Sequence, residues 1–466
     1  MARFRFAPSP TGLVHVGNLR TALFNYLLAK QAGNRLVLRI EDTDEERSKK
    51  SYEEGLICDL KWAGIEWDEG PDTGGEYGPY RQSERKALYL EYAQKLIESG
   101  HAYYCFCSKQ ENDEPSESKD KAGYPGTCRN LDGDSSQRRV EQGEAAAIRF
   151  KIPQDDVVSF KDIVRKKVRF DTNLLSDPII VRSSGVSAYN FSVVVDDHLM
   201  KIDTVIRGED HLSNTARQVL IYRALGLESP EFAHLSMVMG ADNTKLSKRH
   251  GSVSVSEFRL NGYLPEAIFN YLALLGWSPK DNQEIFTQQE LIDLFSLEKV
   301  SKSAAIFDYK KLKWINREHI RKLSSSCLAD TLRPYLTGIG FEANSSESID
   351  NWVAQAANVL SNYHQLLGDI AHGFKQFSSL DIDDEKRAYL ETDDVKAVIQ
   401  MFFDRISQLD SPIGFDQVGK ITKEIQSSLG VKGKALYHPI RVALTGMDRG
   451  IELHDLIPII ETGSQL

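Results

Sequence analysis

The 466-residue sequence has few cysteines, only five. Because that number is small and odd, it fits a reducing compartment better than a disulfide framework. No run of 18 apolar residues is present to cross a bilayer, and the first ten residues, MARFRFAPSP, lack the apolar core of a secretory signal. We therefore expect a cytoplasmic protein without a membrane partner.

Glycine and proline are not abundant either, with 32 and 15 residues, and the chain is 41% hydrophobic and 27% charged. This composition excludes a collagen-like fibre and a largely disordered chain. The formal net charge of −10 argues against a surface coated with phosphate-binding cations, although an acidic body can carry local basic faces. A chain of this length is too long to fold around one compact core, so we expect three or more domains.

The first 42 residues have the pattern of a strand, a helix and a second strand. Residues 2–7 alternate between polar and apolar, and apolar residues recur at helical spacing from His15 to Ala32, with Gly33 placed to end the helix. Residues 36–42 form an apolar run that ends in acidic residues, as in a buried parallel strand. Such units build doubly wound sheets, whose ligands lie beyond the carboxyl ends of the strands.

The composition changes after Cys107, where the chain becomes polar and is interrupted by glycine and proline. Strand-like alternation returns at 145–153 and 157–164, and we expect the sheet to resume at 187–200. Residues 106–186 are therefore interpreted as an insertion that splits one α/β sheet.

Beyond about residue 320 the pattern is helical, with two apolar stripes typical of the core faces of a helix bundle. The second stripe follows the capping candidates Asp393 and Asp394. The stripes comprise Trp352, Ala356, Val359, Leu360, Tyr363, Leu366, Leu367 and Ile370, and then Val395, Val398, Ile399, Phe402, Phe403, Ile406 and Leu409.

The stretch PSPTGLVHVGNLRTA, residues 8–22, could bind a nucleotide. It fails as a P-loop because Asn18-Leu19 stands where Lys-Ser/Thr is needed, and it has no G-x-G-x-x-G. What remains is a strand, a turn and a helix whose first turn carries His15 and Asn18. Unpaired N–H groups at a helix N-terminus, with these donors beside them, suit a phosphate. The alternative is that Thr11 or His15 merely caps the helix.

The stretch TKLSKRHGS, residues 244–252, places Lys245, Lys248 and Arg249 around a serine and ahead of a glycine. Lysines on a loop that can close over the site would stabilise the negative charge that develops on a leaving pyrophosphate. The alternative is a solvated surface run, which is the usual role of such clusters.

Together these two stretches resemble the "HIGH" and "KMSKS" signatures of class I aminoacyl-tRNA synthetases. The flanking segments are similar to glutamyl-tRNA synthetases of the bacterial type, and the resemblance runs from residue 3 to about 446. The segments that carry it are RFAPSPTG (5–12), RIEDTD (39–44), GPYRQSER (78–85), VVVDDHLM (193–200), VIRGEDHLSNT (205–215) and HPIRVALTG (438–446).

The resemblance implies a multidomain fold: an α/β Rossmann-like catalytic core with an inserted α/β domain, followed by an all-α C-terminal half. We expect the split catalytic domain at 1–105 and 187–252 and the inserted acceptor-binding domain at 106–186. A connecting domain that contacts the tRNA stem would follow at 253–320, and a helical anticodon-binding region at 321–466.

The implied reaction is ligation of L-glutamate to tRNA(Glu) through a glutamyl-adenylate, with ATP and Mg²⁺. Adenylation is in-line attack of a carboxylate on the α-phosphate, so the site needs positioning and positive charge rather than a covalent nucleophile. The resemblance assigns catalysis to His15, Asn18, Lys245 and Lys248. It assigns ATP binding to Pro8, Ser9, His15, Gly17, Asn18, Glu209 and Lys248.

Glutamate offers two carboxylates and an ammonium, which call for arginines and a carboxylate respectively. By resemblance, Arg5 and Arg207 bind the carboxylates, Glu41 binds the ammonium, and Ser9 and Tyr189 form hydrogen-bonding walls. The alternative for Arg5 and Glu41 is that they pair with each other.

A zinc site is incomplete in this sequence. Some members of the family carry one in the inserted domain, with ligands spaced like Cys105-x-Cys107 and a later Cys-x-His or Cys-x-Tyr, but here Asn130 stands two residues after Cys128. Tetrahedral structural zinc takes four N or S ligands, so we expect no zinc unless His101 or another group substitutes. The three cysteines could equally be core residues.

One basic stretch is a candidate for contact with tRNA. Residues 307–320 place Lys310, Lys311, Lys313 and Arg317 among Tyr309 and Trp314, which suits phosphates and stacking, but a solvated face with Trp314 in the core fits equally.

Three other readings of the function fit the sequence less well, because helical patterns follow residue 320 and both His15 and Lys248 are present. Glutaminyl-tRNA synthetase would need a β-barrel C-terminal part, the shorter glutamyl-queuosine enzyme lacks that half, and an RNA-binding paralogue with a dead site would have lost His15 or Lys248. The sequence does not say whether tRNA(Gln) is also charged with glutamate. We expect a monomer.

Overall fold

The computed structural model describes residues 1–44, 46–107, 124, 126–251, 253–279, 281–341, 347–378, 382–409 and 413–464. The chain divides into two compact units. The first comprises Met1–Glu257 and Ile268–Asp308, and the second comprises Phe258–Ala267 and Tyr309–Leu466.

Three sheets occur in the described part of the first unit. The largest has the strand order β2-β1-β8-β9-β5-β6, a second pairs β3, β4 and β7, and a third pairs β10 with β11. The strands are β1 (Arg3–Phe6), β2 (Arg35–Leu38), β3 (Ala102–Cys105), β4 (Ala147–Phe150), β5 (Val157–Asp162), β6 (Lys166–Asp171), β7 (Ile179–Val181), β8 (Thr204–Gly208), β9 (Glu231–Leu235), β10 (Val238–Met239) and β11 (Ala305–Ile306).

The central strands of the large sheet are parallel, with Arg5 opposite Val37 and Arg207 opposite His234. The helices up to residue 294 are α1 (Val16–Lys30), α2 (Lys50–Trp62), α3 (Lys86–Glu98), α4 (Gly133–Glu141), α5 (Tyr189–Leu199), α6 (Leu212–Ala224), α7 (Val255–Leu260), α8 (Pro265–Leu274) and α9 (Gln288–Leu294).

The predicted strand, helix and strand over the first 42 residues are present as β1, α1 and β2. Because β1 has β2 on one side and β8 on the other, the connections diverge there, which is where doubly wound sheets bind ligands.

The prediction that the sheet resumes at 187–200 is wrong, because this segment is helix α5. Its run of three valines is compatible with a buried strand or a buried helix, and periodicity alone does not separate the two. The helix is buried at its polar end as well: Asp196 and Asp197 are 0% and 2% exposed. Both carboxylates are paired with arginines of other elements. The next strand along the chain is β8.

The segment 106–186, predicted as one insertion, contributes to two sheets. Its strands β4 and β7 pair with β3 in the small sheet, whereas the antiparallel hairpin β5–β6 extends the large sheet through β9. The physical reason is apolar contact, because Val158 is fully buried in the same core as Val205 and Phe232. The hairpin therefore belongs to the sheet that the predicted catalytic domain forms.

The second unit is helical throughout its described part, as predicted. Trp352 anchors its core by packing against Phe341, Phe374 and Phe377, and its indole N–H donates to the carbonyl of Ile459 at 2.8 Å. The helices are α10 (Tyr309–Lys322), α11 (Ser325–Gly338), α12 (Glu347–Ser361), α13 (Leu367–Gly373), α14 (Lys375–Ser378), α15 (Asp384–Leu390), α16 (Asp393–Ile406), α17 (Phe415–Leu429), α18 (Lys434–Thr445) and α19 (Leu453–Ser464).

Both predicted stripes supply core residues of this unit, among them Ala356 and Leu360 on α12 and Phe402 on α16. The capping prediction is displaced by one residue: Thr392 is the N-cap of α16, and Asp393 and Asp394 lie in its first turn. Acidic side chains there still stabilise the helix dipole. None of the described helices combines the length and the apolar character that crossing a membrane would require.

Candidate active site

A cavity of about 760 Å³ lies at the carboxyl ends of β1, β8 and β9. Strand β1 contributes Arg5, strand β8 contributes Arg207, and Glu41 follows β2. Ten of the predicted site residues line this cavity: Arg5, Pro8, Ser9, His15, Gly17, Asn18, Glu41, Tyr189, Arg207 and Lys245. The structure thus brings together both predicted motifs and the predicted amino-acid residues.

The start of α1 forms one wall of the cavity. His15 occupies the N-cap position, yet its side chain makes no capping hydrogen bond, and it is exposed together with Gly17 and Asn18. The capping alternative is therefore correct for the position of His15 but not for its imidazole. The backbone N–H groups of Gly17 and Asn18, in the first turn of α1 beside these side chains, favour an anionic ligand.

The second motif reaches the same cavity because two chain segments pair at its edge. The backbone N–H of Val16 donates to the carbonyl of Val253 at 3.0 Å, and that of Val255 donates to the carbonyl of Val14 at 3.0 Å. The loop that contains Lys245 precedes this pairing, and Lys245 itself is exposed at the cavity wall.

The three cations of the second motif have different surroundings. Arg249 pairs with Asp242 at 3.2 Å, and the same carboxylate accepts from Thr244 at 2.7 Å, so Arg249 stabilises the loop. Lys245 lines the cavity. The side chain of Lys248 lies outside the described residues, and its assignment stays a prediction.

The amino-acid end of the cavity is a cluster of buried charges. Glu41 pairs with Arg39 at 3.1 Å, and Arg5 pairs with Asp197 at 3.3 Å, so the alternative in which Arg5 and Glu41 bind each other is wrong. Arg39 also binds Asp197, at 2.7 Å. Arg39 also lies 3.8 Å from Asp196, which binds Arg85 at 2.6 Å. With Arg207, four guanidinium groups thus face three carboxylates, and the excess positive charge favours a ligand of net negative charge.

The two buried carboxylates differ in their pKa values. Burial raises the pKa of Glu41 to about 7, against the opposing effect of Arg39 and Arg5. Burial acts in the same direction on Asp197, but Arg39 and Arg5 overcome it and lower the pKa of Asp197. Glu41 is therefore the carboxylate poised to change its protonation when a cation binds.

Glu209 does not line the cavity, although the resemblance assigns it to ATP. One of its carboxylate oxygens accepts from the backbone N–H of Met237 at 2.8 Å, and the other binds Arg165 of the hairpin β5–β6. Met237 does line the cavity, so Glu209 supports the wall from behind.

Several lining residues were not predicted, among them Arg20 and His211. Burial lowers the pKa of Arg20 to about 10, and its Nε and Nη2 atoms have no hydrogen-bond partner among the described residues. A sequence signal existed, because Arg20 lies in the apolar stripe of α1, four residues before Phe24. The ring of His211 lies 3.1 Å from the hydroxyl of Tyr189, and burial and then Arg207 lower its pKa to about 4.

The sulfur atoms of Cys105, Cys107 and Cys128 all lie within 4.8 Å of one another. Cys105 and Cys128 are buried, so the alternative that these cysteines are core residues fits two of the three. Among the described residues no fourth cysteine, histidine or carboxylate joins it, and His101 is not a member. The group supplies three of the four ligands that tetrahedral zinc takes.

The basic stretch 307–320 forms most of α10. Lys310 is exposed, whereas Trp314 is half-buried, and Arg317 pairs with Glu318 at 3.2 Å. The helix thus offers both a charged surface and a packed aromatic side chain, and its contact with tRNA stays a prediction.

Comparison with known proteins finds two family models that match this chain. The model for tRNA synthetases class I (E and Q), catalytic domain, matches residues 1–314, and the model for an anticodon binding domain matches residues 327–463. The glutamate–tRNA ligase of Natranaerobius thermophilus is 43% identical, covering 98% of this chain and 96% of its own. That of Sulfurihydrogenibium sp. is 47% identical, covering 99% and 96%.

The chain belongs to the glutamate–tRNA ligase family. A crystal structure of the glutamate tRNA ligase from Elizabethkingia meningosepticum, in complex with its amino acid, matches with a TM-score of 0.85 at 32% identity, covering 100% of this chain and 98% of that one. The family resemblance, the enzyme class and the fold class predicted from the sequence are confirmed. A helical second unit also excludes the β-barrel expected of a glutaminyl-tRNA synthetase.

Proposed function

We propose that this chain ligates L-glutamate to tRNA(Glu) through a glutamyl-adenylate, releasing AMP and pyrophosphate. The observation that carries the proposal is one cavity in which two buried arginines and a buried carboxylate lie next to the N-terminus of α1 and to Lys245. The arginines and the carboxylate match the charges of glutamate, and the helix N-terminus and Lys245 match a polyphosphate.

In this proposal Arg5 and Arg207 bind the two carboxylates of glutamate and Glu41 binds its ammonium, with Ser9 and Tyr189 as hydrogen-bonding walls. Arg207 donates towards the Tyr189 hydroxyl at 3.4 Å, so the two groups face the same space. Burial of both arginines strengthens their pull on an anion, because water competes less there.

ATP would lie along the start of α1, against Pro8, Ser9, His15, Gly17 and Asn18, and Mg²⁺ would enter on its phosphate oxygens. The glutamate carboxylate attacks the α-phosphorus, a new O–P bond forms, and the bond to pyrophosphate breaks. Charge moves onto the leaving pyrophosphate, where Lys245 and Lys248 would stabilise it. Glu209 would act on the nucleotide indirectly, through Met237.

The test is ATP–pyrophosphate exchange in the presence of tRNA(Glu), which activation in this family is expected to require. Lys248→Ala should abolish exchange and Lys245→Ala should lower it strongly. The control Lys50→Ala removes an exposed lysine of α2 and should leave exchange unchanged. Near-normal exchange by Lys248→Ala would contradict its assigned role.

The tRNA choice is tested by aminoacylation of purified tRNA(Glu) and tRNA(Gln) with glutamate and with glutamine. We expect glutamate on tRNA(Glu), with α10 contacting phosphates. Charging of tRNA(Gln) with glutamate would support the alternative of a relaxed choice of tRNA. Charging of either tRNA with glutamine would refute glutamate as the amino-acid substrate. The domain boundaries, the cytoplasmic location and the monomeric state stay proposals of the same kind.

A further inference from the structure

The guanidinium of Arg207 is held from behind by three neutral acceptors. Its Nη2 atom donates to the hydroxyl of Thr215 at 2.7 Å and to the side-chain carbonyl of Gln218 at 2.6 Å. Its Nε atom donates to Nε2 of His234 at 3.3 Å. A guanidinium has five N–H groups, and these contacts use three of them. The two N–H groups of Nη1 are left for Tyr189 and for a ligand in the cavity.

His234 lies on the neighbouring strand, directly opposite Arg207 in the register of β8 and β9, and its side chain is fully buried. Its other ring nitrogen, Nδ1, lies 2.6 Å from a carboxylate oxygen of Asp162 at the end of β5. Asp162 is fully buried too and accepts from the backbone N–H groups of Val164, Arg165 and His234.

These partners define the protonation of the imidazole. An ionised carboxylate only accepts, so Nδ1 carries the proton, and Nε2 is an acceptor that faces the Thr215 hydroxyl at 2.8 Å and the Nε atom of Arg207 at 3.3 Å. Burial lowers the pKa of His234, Asp162 opposes this effect, and Arg207 and Arg5 add to it. Burial alone would raise the pKa of Asp162, but its hydrogen bonds, first that from His234, lower it. The pair is therefore a neutral imidazole on an ionised carboxylate.

We propose that Asp162 and His234 are positioning residues for the amino-acid subsite, because the series Asp162, His234, Arg207 fixes the plane of the guanidinium and turns its Nη1 edge into the cavity. The inference rests on the proposed function, in which Arg207 binds a glutamate carboxylate. It also gives the hairpin β5–β6 a part in substrate recognition, since Asp162 comes from that hairpin.

The first test is Asp162→Asn. The amide NH₂ group would donate to Nδ1, the imidazole would change tautomer, and the new Nε2–H would donate to the Thr215 hydroxyl and leave the Nε–H of Arg207 facing a donor instead of an acceptor. One donor facing another loses a buried hydrogen bond, so the KM for glutamate should rise about tenfold. The KM for ATP should stay within about twofold, because Asp162 reaches the nucleotide end of the cavity only indirectly, through the backbone N–H of Arg165, whose side chain binds Glu209.

Two variants of His234 separate positioning from packing. His234→Leu keeps most of the volume but removes the acceptor, and it should raise the KM for glutamate as Asp162→Asn does. His234→Gln keeps an acceptor for Arg207 and should restore part of the loss. The control His198→Gln changes a half-buried histidine on α5 and should leave both KM values unchanged. An equal rise in the KM for ATP, or no rescue by glutamine, would overturn the proposal.

A double-mutant cycle with Arg207→Gln makes the outcome independent of folding losses, which melting temperatures report separately. If His234 acts through Arg207, His234→Gln and Asp162→Asn should change the KM for glutamate in the native background and not in the Arg207→Gln background. Equal effects in both backgrounds would overturn the positioning role and leave the proposed function standing. An unchanged KM for glutamate in Arg207→Gln alone would instead refute the proposed function.

Discussion

The protonation of Glu41 predicts how glutamate binding depends on pH. Burial raises its pKa to about 7 in the absence of ligand. An ammonium favours the ionised carboxylate, so only that form should bind glutamate well. The affinity should then be full above pH 7 and fall as the pH decreases through 7, because protons compete with the ligand ammonium.

The size of the effect follows from that single pKa. With binding restricted to ionised Glu41, the dissociation constant for glutamate should be roughly tenfold higher at pH 6 than at pH 8, equivalent to about 1.4 kcal/mol. At pH 6 about 0.9 proton should be released for each glutamate bound. The carboxylates of free glutamate stay ionised over this range, and the low pKa of His211 keeps it neutral.

Isothermal titration calorimetry in two buffers of different ionisation enthalpy measures both quantities. Glu41→Gln should bind glutamate weakly and with no pH dependence between 6 and 8. The control Glu53→Gln makes the same chemical change at a glutamate that pairs with Arg81 outside the cavity, and it should keep the native profile. A flat profile in the native protein, or the same slope in Glu41→Gln, would refute the reasoning.

Two further predictions concern stability and metal. Trp352→Ala should lower the free energy of unfolding of the helical unit by about 3–5 kcal/mol, because it opens a cavity among three aromatic rings. Thermal unfolding measures this, and Leu429→Ala, at an exposed site, should cost less than about 1 kcal/mol. Metal analysis of protein purified without chelator should find well under one zinc per chain, since no cysteine, histidine or carboxylate of the described residues joins the three thiols as a fourth ligand. Stoichiometric zinc that Cys107→Ser removes would contradict this expectation.

The parts of the fold that could be predicted from the sequence are those with a local signal. The turn and helix of residues 8–30 and the helical second unit each have a regular apolar spacing, and both are present. The segment 187–200 was misassigned because its valines are buried on all sides, so neither a period of 2 nor one of 3.6 is visible. Strand β5 is predicted from the alternation at 157–164 but is placed outside the large sheet, and its hairpin partner β6 is not predicted, because partner strands cannot be read from one short segment.

In the site, too, the residues that belong to a sequence motif could be predicted, whereas their distant partners could not. Residues carried by a motif, such as His15 and Arg207, line the cavity. Their partners come from distant positions: Arg39 meets Asp197 across 158 residues, and His234 meets Asp162 across 72. No local pattern links such pairs, and the alternative that paired Arg5 with Glu41 joined two residues that the sequence places on neighbouring strands. Only the folded chain identifies Asp197 and Arg39 as the groups that hold these two residues.

If Arg5 and Arg207 bind the ligand carboxylates as proposed, this arrangement gives a physical reason for choosing glutamate over glutamine. Arg5 and Arg207 have buried guanidinium groups that only donate, and their neighbours already satisfy the inner N–H groups. A second ligand carboxylate accepts from the outer ones, whereas the amide of glutamine would turn either a donor or a single weaker acceptor towards them. The unpaired buried donors and the uncompensated positive charge would cost more than a lost contact in water. In the proposed function, selectivity would therefore come from buried donors that glutamine leaves unsatisfied, which is why residues that fix Arg207 should affect the amino acid more than ATP.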